Sequence, residues 1–214
     1  MTANQPHWPC EWLMTDERIG ERLWNAIDSM PPDGGVVFRH YSLEPAERAA
    51  LAARVSERCL ERGLGLAIAG DVELAKELGA QLVHNPSIDP GGLPFCRSAH
   101  SAEQAREAGA AGASLIFLSP LFPTRSHSER APLSQEEARR IVAACPVPVI
   151  ALGGMDRVRF EGLRGDGFYG WAGIDAWLRA WPSVLALRGW PALAISRDAP
   201  ATLRVDVATL GGLG

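Results

Sequence analysis

The feature that most constrains this fold is the alternation of short apolar runs with amphipathic helical stretches along most of the 214 residues. The apolar runs, which we interpret as strands, lie at 11–15, 36–40, 64–69, 80–84, 93–98, 114–119, 147–153 and 166–170. Predicted helices lie between most of them, at 17–29, 44–61, 71–78, 101–110, 134–144 and 171–181. Strands that alternate with helices indicate a parallel sheet covered by helices. Eight such strands predict a closed α/β barrel, the (β/α)8 or TIM barrel.

An open, doubly wound sheet would show the same alternation, so the first strand–helix turn helps to separate the two folds. That turn reads TDERIGER (15–22) and lacks the Gly-x-Gly-x-x-Gly pattern of a dinucleotide site. The barrel is therefore the predicted fold. Two of its helices have recognisable starts, because Ser101-x-x-Gln104 and Ser134-x-x-Glu137 have capping-box spacing.

Residues 182–214 depart from this alternation. Pro182, Gly189 and Pro191 interrupt helices, and LRVDV (203–207) alternates apolar and charged side chains with a period of two. We therefore predict two parts, a barrel over residues 1–181 and a hairpin-like C-terminal extension over residues 182–214.

Charge and composition exclude several classes of protein. There are 21 Lys and Arg against 25 Asp and Glu, a formal net charge of −4, so the basic surface of a nucleic-acid-binding protein is not expected. No apolar run approaches the ~18 residues that span a bilayer. The start, MTANQPHWPCEW, lacks the basic and apolar regions of a secretory signal. The four cysteines lie far apart without metal-ligand spacing, which is typical of reduced thiols in a cytoplasmic protein.

In a (β/α)8 barrel the functional site lies at the C-terminal ends of the strands, often with phosphate held after strands seven and eight. Gly153-Gly154 and the segment 170–173 fall at these two places, and they would equally suit ordinary tight turns. The loop 119–134 is rich in hydroxyl and basic groups that can clamp a diphosphate. An ordinary solvated loop has a similar composition. The groups of interest are Thr124, Arg125, Ser126, His127, Ser128 and Arg130.

Three more residues near strand ends are candidates. His84 ends the fourth strand, where it either points into the site or is a hydrogen-bonded structural histidine, the more frequent case. Glu73 and Asp89 are candidate ligands of Mg²⁺, which prefers one or two carboxylates together with ligand phosphates. Surface placement is the default for such carboxylates.

Three segments resemble those of thiamine phosphate synthases and their TenI-like relatives. They are IAGDVELAKELGAQLVH (68–84), SAHSAEQAREAGAAGASLIFLSPLFPT (98–124) and VPVIALGGM (147–155). EWLMTDER (11–18) is similar to that family's first strand and turn, so the resemblance covers roughly residues 11–180. It implies a TIM-barrel enzyme that joins hydroxymethylpyrimidine diphosphate to thiazole phosphate and releases pyrophosphate, with Mg²⁺. Its partners would be small phosphorylated substrates, and the sequence leaves a homodimer open.

The resemblance also implies roles for single residues. Catalytic positions fall to Arg39, Ser98 and His127, the last of which replaces a family lysine. Metal binding falls to Glu73 and Asp89. Substrate binding falls to His84, Thr124, Ser126, Gly153, Gly154, Trp171, Ala172 and Gly173.

Several cationic positions of the family are replaced in this chain. The Gln-x-Arg-x-Lys pattern after strand two reads VFRHY (37–41), so Tyr41 replaces the lysine. After strand three, Asp71 replaces the arginine of Asn-Asp-Arg. With His127, this removes up to three charge-assisted contacts to a diphosphate, each worth about 1.5–3 kcal/mol. Trp171-Ala172-Gly173 stands where the family has a small apolar residue and a serine.

The sequence therefore supports more than one function. TenI-like isomerases carry a histidine where this chain has Ser119-Pro120, so that activity is disfavoured. The prediction is a thiamine phosphate synthase-like transferase. The alternative is a non-catalytic or repurposed barrel that binds a phosphorylated small molecule, such as thiazole phosphate, and has lost the diphosphate site. A structural barrel that uses its C-terminal segment as an interface is a third hypothesis.

Overall fold

The computed structural model describes residues 7–124 and 130–178. Its strands are β1 Glu11–Met14, β2 Gly35–Phe38, β3 Gly65–Ala69, β4 Leu82–His84, β5 Phe95–Ala99, β6 Leu115–Leu118, β7 Val149–Ala151 and β8 Gly170–Gly173. They form a closed barrel in chain order, and all neighbours are parallel. β1 closes onto β8 with Trp12 opposite Ala172. The predicted (β/α)8 barrel is confirmed.

Helices cover the outside of the described barrel. They are α1 Leu23–Asp28, α2 Pro45–Arg62, α3 Val72–Glu77, α4 Ala102–Ala110, α5 Gln135–Ala144 and α6 Arg157–Gly162. The two predicted capping serines both act as expected: Ser101 accepts from the Gln104 N–H and Ser134 from the Glu137 N–H, each at 3.2 Å. Within the described residues, no helix has the length and apolarity needed to cross a membrane.

The core divides into the barrel interior and two outer layers. Inside, Trp12, Leu82, Phe117 and Ile150 are fully buried, and Trp12 meets Phe117 edge-on at 5.6 Å between ring centroids. Outside, one cluster joins β1–β4 to α1–α3, and the other joins β5–β8 to α4–α6. Since side chains alternate along a strand, Leu82 and His84 point inward and Val83 outward. His84 therefore lies inside the upper end of the barrel.

The eighth strand differs from its predicted position. It runs over Gly170–Gly173, not over 166–170, and the predicted helix 171–181 is wrong over 171–173. The reason is steric, because a Cβ on Gly170 would lie 2.0 Å from the Cys10 carbonyl oxygen. The same carbonyl accepts the Trp171 N–H at 2.8 Å. The glycines that suggest a turn in the sequence are therefore strand residues. They allow β8 to lie against the chain before β1.

Of two other predictions, one is partly wrong and one falls on residues that the structure does not describe. The helix predicted over 17–29 is a 3₁₀ segment, Glu17–Arg22, followed by α1, because Gly20 has a φ of 56° that interrupts the helix. The predicted hairpin-like extension over 182–214 lies outside the described residues.

Candidate active site

A cavity of about 260 Å³ opens at the C-terminal ends of β6, β7 and β8. This is the face on which a (β/α)8 barrel carries its functional site. We call it the mouth cavity. Its lining includes five residues that the sequence predicted for the site, and one that it did not: Arg39, Thr124, Gly153, Gly154, Gly173 and Arg159.

Gly153 and Gly154 form the turn that follows β7. Their φ angles are 88° and 62°, in the left-handed region that favours glycine. A Cβ on Gly153 would lie 2.7 Å from Pro120 Cα, and one on Gly154 would lie 2.7 Å from the Pro123 carbonyl oxygen. Both glycines are therefore required for packing against the loop after β6. They also line the mouth cavity, and their phosphate-binding role stays a prediction.

Arg39 follows β2 and is held against the end of β1. Its Nε donates to the Thr15 carbonyl at 2.7 Å, and its Nη2 lies 3.4 Å from Asp16 Oδ2. The side chain is 19% exposed. Burial lowers the pKa of Arg39, and the Asp16 carboxylate opposes that shift. Arg39 thus brings a positioned positive charge to the mouth cavity, and no other described residue uses the rest of its five N–H groups.

His84 belongs to a buried polar cluster inside the barrel. Its Nε2 lies 3.3 Å from Ser98 Oγ and 3.2 Å from Asn85 Nδ2, and its Nδ1 lies 3.4 Å from Cys96 Sγ. Burial lowers the pKa of His84 to about 3, and the charges of Arg39 and Arg97 act in the same direction. His84 is therefore neutral at physiological pH. Neither His84 nor Ser98 belongs to the lining of the mouth cavity.

The hydrogen bonds of Asn85 assign the tautomer of His84. Asn85 Oδ1 accepts the Ser98 N–H at 2.8 Å, so the amide nitrogen of Asn85 must face His84 Nε2. That ring nitrogen is then an acceptor, and the proton lies on Nδ1. Asn85 reaches this position with a φ of 48°, a conformation that asparagine adopts more readily than most residues. The Ser98 hydroxyl is thereby oriented by two neighbours.

Glu73 and Asp89 are not placed as a pair of metal ligands. Glu73 is on α3, 74% exposed, and pairs with Lys76 at 2.9 Å. Asp89 is exposed and accepts the Gly91 N–H of its own turn at 3.0 Å. No cluster of three or more His, Cys, Asp or Glu side chains suited to a metal occurs in the described parts of the chain. As placed here, the two carboxylates do not fit a resident Mg²⁺ ion.

Trp171, Ala172 and Gly173 belong to β8, so the loop position predicted for them is wrong. Trp171 points outward and stacks on Trp177 with 5.0 Å between ring centroids. Ala172 faces the barrel interior and is fully buried. Only Gly173 of the three lines the mouth cavity.

The loop after β6 is described as far as Thr124, which lines the mouth cavity. Ser126 and His127, together with Arg125, lie outside the described residues. The clamp predicted for this loop therefore stays a prediction.

A second, shallower depression of about 660 Å³ lies beside the ends of β2 and β3. We call it the acidic groove, because its charged lining residues are Asp71, Glu73, Glu77 and one arginine, Arg48. Arg48 is 12% exposed, donates to the Ala69 carbonyl at 2.7 Å and lies 3.6 Å from Asp71. Tyr41, where the family resemblance predicts a lysine, is also part of its lining. This end of the barrel mouth therefore carries more negative than positive charge.

Sequence reasoning missed Arg159, Arg48 and the orienting role of Asn85. Arg159 lies on α6, whose sequence RVRFEG has no apolar stripe that would have predicted a helix over the mouth cavity. Arg48 donates a hydrogen bond to a carbonyl 21 residues away, and Asn85 accepts one from a serine 13 residues away. Only the closing of the barrel brings these groups together. The local signal in the sequence is an asparagine directly after a predicted strand, because asparagine adopts a positive φ more readily than most residues.

Comparison with known proteins gives a consistent result. A family model described as thiamine monophosphate synthase matches residues 93–177. A putative thiamine-phosphate synthase 2 of Aquifex aeolicus is 40% identical over 182 residues, which cover 79% of this chain and 98% of that protein. A thiamine biosynthesis bifunctional protein of Geobacter sulfurreducens is 30% identical over 162 residues, 68% of this chain and 32% of that protein.

Among solved structures, a thiamine phosphate pyrophosphorylase from Pyrococcus furiosus is similar with a TM-score of 0.67. The alignment covers 78% of this chain and 85% of that one, at 22% sequence identity. A likeness at this identity supports the fold alone.

Proposed function

The chain belongs to the thiamine-phosphate synthase family, and from that premise we propose that it is a transferase of thiamine biosynthesis. The reaction joins hydroxymethylpyrimidine diphosphate to thiazole phosphate and releases pyrophosphate. The thiazole nitrogen forms a bond to the methylene carbon of the pyrimidine. The bond from that carbon to the diphosphate oxygen breaks, and its electron pair leaves with pyrophosphate.

The observation that carries this proposal is the lining of the mouth cavity. Arg39, to which the family resemblance gives a catalytic role, lines one cavity of about 260 Å³ together with Thr124, Gly153 and Gly154, which the resemblance assigns to substrate binding. They come from the ends of β2, β6 and β7, which are far apart in sequence. A ligand in this cavity would meet all of them at once.

Each residue has a definite task in this reaction. The backbone N–H groups of Gly153 and Gly154 hold the thiazole phosphate, since glycine allows an anion to approach the backbone closely. Arg39, fixed by Thr15 and Asp16, stabilises the negative charge that develops on the departing pyrophosphate. The Ser98 hydroxyl, oriented by Asn85 and His84, lies outside the lining of the mouth cavity, and the catalytic role that the resemblance implies for it stays a prediction. The Mg²⁺ requirement implied by the family stays a prediction that the placement of Glu73 and Asp89 does not support.

Product formation tests the proposal directly. Purified full-length protein is mixed with both substrates, with Mg²⁺ or with EDTA, and thiamine phosphate is measured as thiochrome fluorescence. We expect product, and Arg39→Ala should lower the rate at least about tenfold, the scale of one charge-assisted hydrogen bond. Arg140→Ala is the matched control, because Arg140 is an exposed arginine of α5 outside the mouth cavity. Absence of product from correctly folded wild-type protein would contradict the transferase.

The second candidate is a barrel that binds a phosphorylated small molecule without turning it over. The acidic groove favours it, because three carboxylates and one largely buried arginine are a poor setting for a diphosphate. A binder of this kind would be thermally stabilised by thiazole phosphate or thiamine phosphate and would make no product. A purely structural barrel would respond to neither compound.

A further inference from the structure

We propose that Arg159 is the cation that recognises the phosphate monoester of the ligand in the mouth cavity. The inference rests on the proposed function for the identity of that ligand, a thiazole phosphate, and it adds a specificity-determining residue to the same site. Nothing in the sequence marks Arg159 for this role.

Contacts on two sides hold the Arg159 guanidinium at the glycine turn. Its Nη1 donates to the Gly154 carbonyl, and its Cζ lies 4.9 Å from the centroid of the Phe122 ring. An arginine over an aromatic face gains cation–π stabilisation, which restricts its direction. The side chain therefore lines the mouth cavity beside the two glycines in a defined position.

The charges of the cavity single out Arg159. Its charged lining residues are Arg39, Asp156, Asp175 and Arg159. Arg39 is directed to Thr15 and Asp16, at the end of β1. Arg159 forms no ion pair with any carboxylate in the described ranges 7–124 and 130–178. One of its five N–H groups is used by Gly154, and among the described residues no side chain uses the others, so they can make the two-point contact of arginine with phosphate.

Asp156 provides a second, opposite prediction for phosphate affinity. Its side chain accepts the Arg159 backbone N–H at 2.9 Å as the N-cap of α6, and it lines the same cavity. A carboxylate there repels a phosphate dianion. Asp156→Asn keeps the capping oxygen, because asparagine caps as well as aspartate, and removes the charge. It should therefore tighten phosphate binding, opposite in sign to the loss of Arg159.

The test is equilibrium binding, which needs no turnover. Isothermal titration measures thiazole phosphate, its dephosphorylated alcohol and inorganic phosphate against the wild-type full chain and its variants. Arg159→Gln, which retains an N–H group for the Gly154 carbonyl, should weaken binding of thiazole phosphate roughly 10- to 100-fold, the range of a charge-assisted hydrogen bond. Binding of the alcohol should be unchanged. The affinity of Arg159→Lys for thiazole phosphate should fall between those of the wild type and Arg159→Gln, because lysine keeps the charge and loses the two-point geometry.

Arg164→Ala is the matched control, since Arg164 is an exposed arginine two residues after α6, pairs with Glu161 and does not line the cavity. Four results would overturn the inference. The first two are an Arg159→Gln variant that binds thiazole phosphate as tightly as the wild type, and an equal loss of affinity in Arg164→Ala. The other two are an equal loss of affinity for the alcohol in Arg159→Gln, and a wild-type protein that binds none of the three probes. Thermal unfolding of each variant separates loss of binding from loss of structure.

The outcomes also separate this inference from the proposed function. A phosphate-selective loss in Arg159→Gln, together with absent product from the wild type, would support the inference and contradict the transferase. Product from the wild type, together with unchanged binding in Arg159→Gln, would do the reverse.

Discussion

His84 Nε2 lies 3.3 Å from the hydroxyl oxygen of Ser98, inside the upper end of the barrel. The ring is 2% exposed and meets Phe117 edge-on at 5.4 Å between ring centroids. Because the ring nitrogen is an acceptor there, the contact requires neutral imidazole. A protonated His84 would place a buried charge inside the barrel and turn an acceptor into a donor facing the Asn85 amide.

This relationship predicts how stability depends on pH. The pKa of His84 is about 3 in the folded protein and 6.5 in its ordinary state, so the unfolded chain binds more protons between these values. The stability linked to neutral His84 is therefore complete above pH 6.5 and is lost as pH falls towards 3, by up to about 1.4 kcal/mol per unit. Urea unfolding of the wild type at pH 7.5, 6.5 and 5.5 should show this loss, and His84→Gln should show a smaller pH slope.

His7→Gln controls for the removal of a histidine as such, since His7 is exposed. Contributions from His40, whose pKa is also lowered by burial, are common to all three proteins and cancel in the comparison. Identical pH slopes in the wild type and His84→Gln would contradict the prediction.

The sequence predicts the barrel well because its evidence is periodic and local. Seven of the eight strands lie largely within their predicted runs and the eighth overlaps its run only at Gly170, since buried parallel strands are continuous apolar segments. The eighth differs because Gly170 and Gly173 suggest a turn, and the close approach of Cys10 that requires a glycine is a long-range contact.

The candidate site is harder to predict from the sequence than the barrel, because several of its contacts join residues that are far apart in the chain. The Gly153 and Gly154 turn could be located from its position after a strand. The direction of Arg39 could not, because Thr15 and Asp16 lie more than 20 residues away and meet it only across β1 and β2. Glu73, which the family resemblance assigns to metal binding, lies exposed on α3 and pairs with Lys76 one helical turn away.

Alanine at Gly153 should destabilise the protein. Its φ of 88° is strained for a residue with a side chain, and the new Cβ would lie 2.7 Å from Pro120 Cα. We expect a loss of about 2–4 kcal/mol in the free energy of unfolding, measured by urea titration. Gly162→Ala is the matched control, because a Cβ there meets no heavy atom within 4 Å and Gly162 ends a helix. That variant should be neutral or slightly more stable, and equal losses in both would contradict the steric argument.

Asp16→Asn should weaken the positioning of Arg39 without removing the local turn. The hydrogen bond from Arg18 lowers the pKa of Asp16 to about 2, and Arg39 lies on the same carboxylate. An asparagine keeps an acceptor for the Arg18 N–H and loses the charge. We expect about 1 kcal/mol less stability at pH 7, since the ion pairs are partly exposed.

The sign of the pH effect on Asp16 follows from its lowered pKa. The stabilisation is present above the ordinary carboxyl pKa of 3.8 and is lost as pH falls through about 2. The difference between wild type and Asp16→Asn should therefore shrink below pH 4 in urea titrations. Asp28→Asn, which breaks a more exposed pair with Arg58, should show a smaller difference at pH 7. A difference that stays constant down to pH 2 would contradict this account.

The placement of Glu73 and Asp89 leads to a prediction about Mg²⁺. Glu73→Gln and Asp89→Asn, alone or together, should change the Mg²⁺ concentration for half-maximal product formation less than about twofold, because neither carboxylate lines the mouth cavity. Thermal unfolding with Mg²⁺ alone should likewise respond equally in the wild type and the double variant. Glu77→Gln, on the same helix, controls for the loss of one negative charge from the acidic groove. If the double variant needs tenfold more Mg²⁺ while Glu77→Gln does not, the two side chains must leave Lys76 and Gly91 to bind the metal with the substrate diphosphate.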